Sequence, residues 1–186
     1  NRENTRYTTE GGWYDCDKIR FRQGNPEKIG GWTRISSYTF QGVCRSLWNW
    51  VTLGGANLLG VGTNLKFYIN LGGQYYDITP IRATPTINNN PFVATLGSSV
   101  ITVTDTAHGC NTGDFVTFSG AVGLGGNITA AVINLDPTTK LPEFQVTVLS
   151  VDSYTITVSA AANATDVSGS PGGGAAVVAT YQLNTG

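Results

Sequence analysis

Around Gly72-Gly73 the sequence folds back on itself. Leu65-Lys-Phe-Tyr-Ile-Asn70 and Tyr75-Tyr-Asp-Ile-Thr79 flank Leu71-Gly-Gly-Gln74, and with the two glycines at a two-residue turn every paired position sums to 145. Phe67 then lies opposite Ile78, and Ile69 opposite Tyr76, so apolar side chains meet on one side of the hairpin. Lys66, Tyr68 and Asn70 share the other side with Tyr75, Asp77 and Thr79. A slip of one residue would mix the two sides, so pattern and register agree. The stretch commits this part of the chain to antiparallel β structure.

The same grammar recurs on both sides of it. Residues 18–29 read as an earlier hairpin: Ile19 and Phe21 alternate with bases, and a three-residue loop at Gly24-Asn25-Pro26 sets Phe21 opposite Ile29. Residues 45–52 and 57–63 read as further strands; Trp48-Asn49-Trp50-Val51 fits a strand better than a helix turn. With Gly-rich corners between them, these strands describe a four-stranded meander. A break follows at 83–91, where Thr84-Pro85, Asn88-Asn89-Asn90 and Pro91 make a linker unsuited to a strand interior. Beyond it, residues 100–104, 114–118, 144–148, 154–158 and 175–182 are candidate strands. A turn at Asp152-Ser153 pairs Val151 with Tyr154 and Leu149 with Ile156. Composition agrees: 24 of 186 residues are Gly, and only 12% are charged, about half the usual share. Four Trp, eight Tyr and seven Phe call for burial, which argues against disorder. The expectation is an all-β chain of two parts, 1–85 and 86–186, the second a small antiparallel barrel or sandwich.

Charge divides at the same place. Residues 1–85 hold ten bases against six acids, and residues 86–186 one base against six acids, so a net −1 conceals +4 and −5. All four Trp lie in the first part. Lys18, Arg20 and Arg22 alternate as a phosphate-binding row requires. Asp15, Asp17 and Glu27 flank them, however, and a solvated, salt-bridged face is the favoured reading. Cys16, Cys44 and Cys110 show no C-x-x-C spacing, which excludes a zinc ribbon or finger within this chain. A Cys16–Cys44 bridge is conceivable, but buried free thiols in a reducing compartment are favoured. No apolar run is long enough to span a membrane as a helix, and no secretory leader is visible. With Asn1 in place of Met and no Met anywhere, the sequence reads as a piece of a longer chain, although an excised leader would also remove the start Met.

The most distinctive stretch is 10–32, Glu-Gly-Gly-Trp-Tyr-Asp-Cys-Asp-Lys-Ile-Arg-Phe-Arg-Gln-Gly-Asn-Pro-Glu-Lys-Ile-Gly-Gly-Trp. From Asp17 through Trp32, a strand ends in a Gly turn and is followed by a Pro-Glu-Lys-x-Gly-Gly return and an aromatic. This resembles β-propeller-type structural proteins of tailed bacteriophages, especially nozzle or hub proteins. Leu58-Leu-Gly-Val-Gly62, residues 65–69 and 75–80, with the ending Asp77-Ile-Thr-Pro80, look like the later strands of a propeller blade. Thr104-Asp-Thr-Ala-His-Gly109, Gly113-Asp-Phe-Val-Thr-Phe-Ser-Gly120 and Tyr154-Thr-Ile resemble small β-barrel inserts of phage tail proteins. Those inserts are similar to the domain flanking the catalytic cysteine of ubiquitin-activating enzymes. Cys110 stands where that pattern has an apolar residue and takes its packing role; residues 122–139 are longer and looser than the pattern. No ubiquitin chemistry follows, because fold does not carry activity. A blade takes about 40–45 residues and closure needs at least four blades, so residues 1–82 supply two at most. The remainder must come from further sequence, the favoured source, or from neighbouring subunits.

Reactive groups are sparse. His108 is the single histidine and sits in a Thr-Ala-His-Gly turn, where a turn-stabilising role is expected. Asp15 and Asp17 share a strand face but stand among bases, so ion pairing is preferred over acid catalysis. Gly123-Leu-Gly-Gly126 lacks the Lys and helix of a phosphate loop. The sequons at Asn127 and Asn163 matter only in a eukaryotic secretory protein. No enzyme activity, catalytic residue, metal or cofactor is expected. Trp13, Tyr14, Trp32, Trp48 and Trp50 read either as a sugar-stacking platform or as packing within and between blades, and packing is favoured. Trp13, Trp32, Trp48 and Trp50 with Lys18, Arg20 and Arg22 are thus the candidate interaction surface. The resemblance implies a virion tail protein made in the bacterial host cytoplasm. It would assemble as a homo-oligomeric, hexameric ring with other tail proteins, passing DNA without specific binding. The alternative is a host-receptor or carbohydrate-binding module of a tail fibre or surface adhesin.

Overall fold

The computed structural model describes residues 17–31 and 38–183. The chain divides into two compact units, 1–38 and 39–186. In the first, β1 (Ile19–Arg22) and β2 (Asn25–Lys28) form an antiparallel hairpin. Its turn is tighter than expected. Gln23 and Gly24 both take positive φ, 50° and 81°, as a two-residue turn of the primed type demands. Phe21 therefore lies opposite Pro26 rather than Ile29, and Ile19 opposite Lys28.

The second unit opens with the expected meander: β3 (Cys44–Val51), β4 (Asn57–Thr63), β5 (Phe67–Leu71) and β6 (Gln74–Asp77), paired in sequence order. Tyr68 pairs with Asp77, Ile69 with Tyr76 and Leu71 with Gln74, the register that the two glycines dictate. Gly72 and Gly73 close the turn at φ 62° and 89°.

From residue 81 onward two further four-stranded antiparallel sheets share one core. The strands are β7 (Ile81–Ala83), β8 (Phe92–Ala94), β9 (Val100–Thr104), β10 (Phe115–Ser119), β11 (Phe144–Gln145), β12 (Thr147–Ser150), β13 (Ser153–Thr157) and β14 (Val178–Gln182), with two one-turn helices, α1 (Ala130–Ile133) and α2 (Ala164–Val167). One sheet runs β11-β10-β14-β7 and the other β12-β13-β9-β8. Phe92, Ile101, Val103, Val116, Phe118, Tyr154, Ile156, Ala179 and Tyr181 meet between them. This is a sandwich-like pair of open sheets, not a closed barrel. Complete burial of each large apolar side chain contributes about 1.5–3 kcal/mol, and strict alternation along β9 and β13 aims those residues inward.

Two local expectations change. The β12–β13 turn falls at Val151-Asp152, pairing Ser150 with Ser153 and Val148 with Tyr154, because the register shifts at Leu149. Asp152 is held there from outside the hairpin: its carboxylate accepts the Ala107 N–H at 2.8 Å and its carbonyl the Asp105 N–H at 3.0 Å. Second, the chain just before the Asn triplet is paired to the sandwich, although Asn88 and Asn89 themselves are exposed. Ile87 is buried and donates its N–H to the Val177 carbonyl, and Thr86 bridges to Val178. The boundary expected at 85/86 falls between β7 and that bridge, both of which pair with β14.

Candidate interaction surface

The meander has two faces, and the register assigns every residue to one of them. Ser46, Trp48 and Trp50 of β3 stand opposite Gly62, Gly60 and Leu58 of β4, which in turn stand opposite Phe67, Ile69 and Leu71 of β5. Tyr76 of β6 follows Ile69, and the Ile78 N–H continues the ladder to the Phe67 carbonyl at 2.9 Å. No charged residue lies in this array. Gly60 makes room for a ring: a Cβ there would sit 3.2 Å from the Trp50 ring.

This apolar face is the exposed one. Trp48 is 73% exposed, Trp50 36%, Phe67 43%, Leu71 45%, and Tyr76 and Ile78 each 52%. On the opposite face Val61, Thr63, Lys66, Tyr68 and Thr79 are buried, while Leu47 and Val51 of β3 are exposed. Phe40 caps it, edge-on to Tyr68 at 5.0 Å and to Tyr75 at 4.9 Å. Packing within the blade therefore does not cover Trp48 or Trp50, and of the favoured reading only packing between blades is left open.

What draws the polar face inward is Lys66. Its ammonium is fully buried and donates to Asp77 Oδ2 at 2.7 Å, to Gln182 Oε1 at 2.7 Å and to Glu143 Oε1, with the Phe115 ring centroid 4.5 Å away. The node ties the meander to β14 and to the residue before β11. Burial works against ionising Asp77, but Lys66 and Thr79 outweigh it and hold that carboxyl below its usual range. For Glu143 burial prevails over Lys66, and its pKa is raised.

A second polar cluster lies in the sandwich. Tyr181 OH donates to Asp105 Oδ2 at 2.5 Å and meets Tyr154 OH at 2.9 Å, all three residues being buried. Burial pushes both phenols up; at Tyr154 the Tyr181 hydrogen bond offsets part of this, while negative charge nearby adds to it at both. His108 Nδ1 accepts the Cys110 N–H at 3.0 Å and its Nε2 donates to the Ser150 carbonyl at 2.9 Å. Both ring nitrogens are therefore engaged by backbone, the geometry of a turn brace rather than of a base. Cys110 is buried against Arg82, and desolvation raises its thiol to about 11. It stays a thiol, as a packing role requires.

The Gly-rich loop holds an anion of the chain's own. The Asp166 carboxylate accepts N–H groups from Gly126, Asn127, Ile128 and Asn163 at 2.8–3.0 Å. Those bonds outweigh burial and lower its pKa. Asn163 caps α2 in return. Sequence reasoning passed over this site, although Asn163-x-x-Asp166 has the spacing of a capping box.

Of the other candidate residues, Trp13 and Trp32 lie outside the described residues. Lys18, Arg20 and Arg22 belong to the β1 hairpin and are exposed. Arg20 pairs with Glu27 at 3.1 Å and Lys18 with Asp17 at 3.5 Å. Cys16 lies outside the described residues; Cys44 and Cys110 are free thiols, the first exposed where burial was expected and the second buried. Among the described residues no group of His, Cys, Asp and Glu is arranged to hold a metal ion, and no helix is long and apolar enough to cross a membrane.

No protein-family model matches the chain, and no curated protein matches it. Among solved structures it is similar to the phage phi92 endosialidase, at 16% identity over 77% of this chain, with a TM-score of 0.37. The chain spans 18% of the length of that protein. A likeness of that degree establishes neither a common fold nor a common chemistry.

Proposed function

We propose that this chain is a structural component of a bacteriophage tail, of the nozzle or hub kind, which works by assembly. In this reading β3–β6 is a propeller blade and its Trp48 face packs against a neighbouring blade within a ring. The observation that carries it is the inverted meander: an uncharged face of aromatic and aliphatic residues is left open while a lysine is buried behind it. Contiguous apolar surface of this kind marks an interface. Four antiparallel strands in sequence order are also the topology of a propeller blade. The resemblance of residues 17–32 and 58–80 to phage propeller proteins supports the same reading, with the sandwich as an insert. Head-to-tail contact between copies closes a ring when the rotation permits.

Negative-stain images of the complete protein test it. Closed rings are expected, and dispersed monomers or fibres overturn the assignment. The exposed Trp48 ring favours one other reading, a carbohydrate platform on a host-recognition module. Glycan-array binding that disappears in Trp48→Ala and Trp50→Ala, with unchanged circular dichroism, would establish that reading instead.

A further inference from the structure

The Lys66 node holds more chemistry than an ion pair needs. An ammonium with no exposed surface lies against one carboxyl that is 15% exposed and another that is 28% exposed, beneath an aromatic ring. Its backbone is fixed on both sides: the Lys66 N–H donates to Thr63 Oγ1 at 2.8 Å, and its carbonyl accepts the Thr63 N–H at 2.9 Å. Asp77 is equally fixed, since Oδ1 accepts the Thr79 N–H at 2.8 Å and the Thr79 hydroxyl at 2.6 Å. Glu143, by contrast, has Lys66 as its single hydrogen-bond partner among the described residues. The two carboxyls are therefore inequivalent, one anchored and one aimed at the amine.

We propose that Lys66 and Glu143 condense within the folded chain to form an intramolecular amide. Asp77 takes one proton from the ammonium. The freed Nζ lone pair attacks Glu143 Cδ and forms the N–C bond. The C–OH bond of the protonated carboxyl then breaks, and the hydroxyl leaves as water with a second amine proton. The third proton stays on the amide nitrogen, and the proton on Asp77 passes to solvent at its exposed edge. No oxidant, reductant or co-reactant is consumed. Holding amine and acid in contact supplies the effective concentration that the uphill condensation lacks in water. Burial favours the neutral product over a desolvated ion pair and keeps water from reversing the step. The raised pKa of Glu143 favours the protonated carboxyl that can lose its hydroxyl as water, and Asp77 Oδ2 stands 2.7 Å from Nζ to receive the proton. The bond would lock the meander to the sandwich across 77 residues of chain, whatever the exposed face binds.

The test is the intact mass of the unmodified chain, denatured and under reducing conditions. The expected mass is one water below that of the sequence, with tandem spectra placing the loss in a linked pair of peptides that carry Lys66 and Glu143. Lys66→Arg is expected at its full sequence mass. A full mass for the unmodified chain overturns the proposal, and so does a loss retained in Lys66→Arg. A link from Lys66 to Asp77, or loss of ammonia through Gln182, overturns it as well. None of these results depends on ring assembly.

Discussion

Asp166 offers the sharpest test of how the sandwich is held. Asp166→Ala removes the acceptor of four backbone N–H groups at once, those of Gly126, Asn127, Ile128 and Asn163. Ile128 is wholly buried, so water cannot replace the carboxylate there, and an orphaned buried donor costs about 1–3 kcal/mol. The other three donors are nearer solvent and lose charge-assisted bonds of about 1 kcal/mol each after partial rehydration. The sum is about 4–6 kcal/mol. With a urea slope of about 1–3 kcal/mol per molar, the unfolding midpoint falls by at least about 1.3 M. Asp166→Asn retains one acceptor oxygen but points an NH₂ at N–H donors, and is expected to lose at least half as much. The pH dependence has a definite sign. Because the folded pKa is depressed, the contribution of the carboxylate is complete above the unfolded value of about 3.9 and disappears as pH falls through the folded value. The gap between wild type and Asp166→Asn should therefore be widest near neutrality and narrow below about pH 4. Urea melts followed by far-ultraviolet circular dichroism at several pH values measure it. A loss below 1 kcal/mol for Asp166→Ala, or a pH-independent gap, would refute the carboxylate-anchor argument.

Further outcomes follow from the same geometry. Trp48→Ala should change the unfolding free energy by no more than about 0.5 kcal/mol, since the residue is 73% exposed. Val61→Ala, on the buried face at 4% exposure, should cost about 1–3 kcal/mol; the reverse order in urea melts would mean that the faces have been exchanged. Tyr181→Phe leaves Asp105 and the Tyr154 hydroxyl short of a partner inside the core, for about 2–4 kcal/mol in the same assay. Iodoacetamide at pH 8 should label Cys44 and spare Cys110 until the chain unfolds, because the thiol of Cys110 is buried and raised to about 11. Peptide mapping reads the result, and equal labelling of the two in the native protein contradicts the burial of Cys110.

Local order in this chain is legible where a turn and a period-two pattern coincide. Gly72-Gly73 fixed the β5–β6 register because only one pairing keeps like side chains together. The strands at 100–104 and 154–157 were visible for the same reason, their Val, Ile and Tyr alternating with Thr. Registers failed where the deciding atoms lie elsewhere in the chain or in an unexpected turn. Gln23 adopted the positive φ normally left to glycine, and the β12–β13 turn answers to Asp152 contacts with residues 105–107.

The candidate surface shows the same division most plainly. Strand parity by itself grouped Phe67, Ile69, Tyr76 and Ile78 on one side, and Lys66, Tyr68 and Thr79 on the other. It could not say which side turns inward within the chain. That choice was made by Glu143 and Gln182, which stand 77 and 116 residues from Lys66 in sequence and reach its ammonium only in the folded unit. A lysine is buried where partners compensate its desolvation, and alternation then carries its apolar neighbours out to the surface.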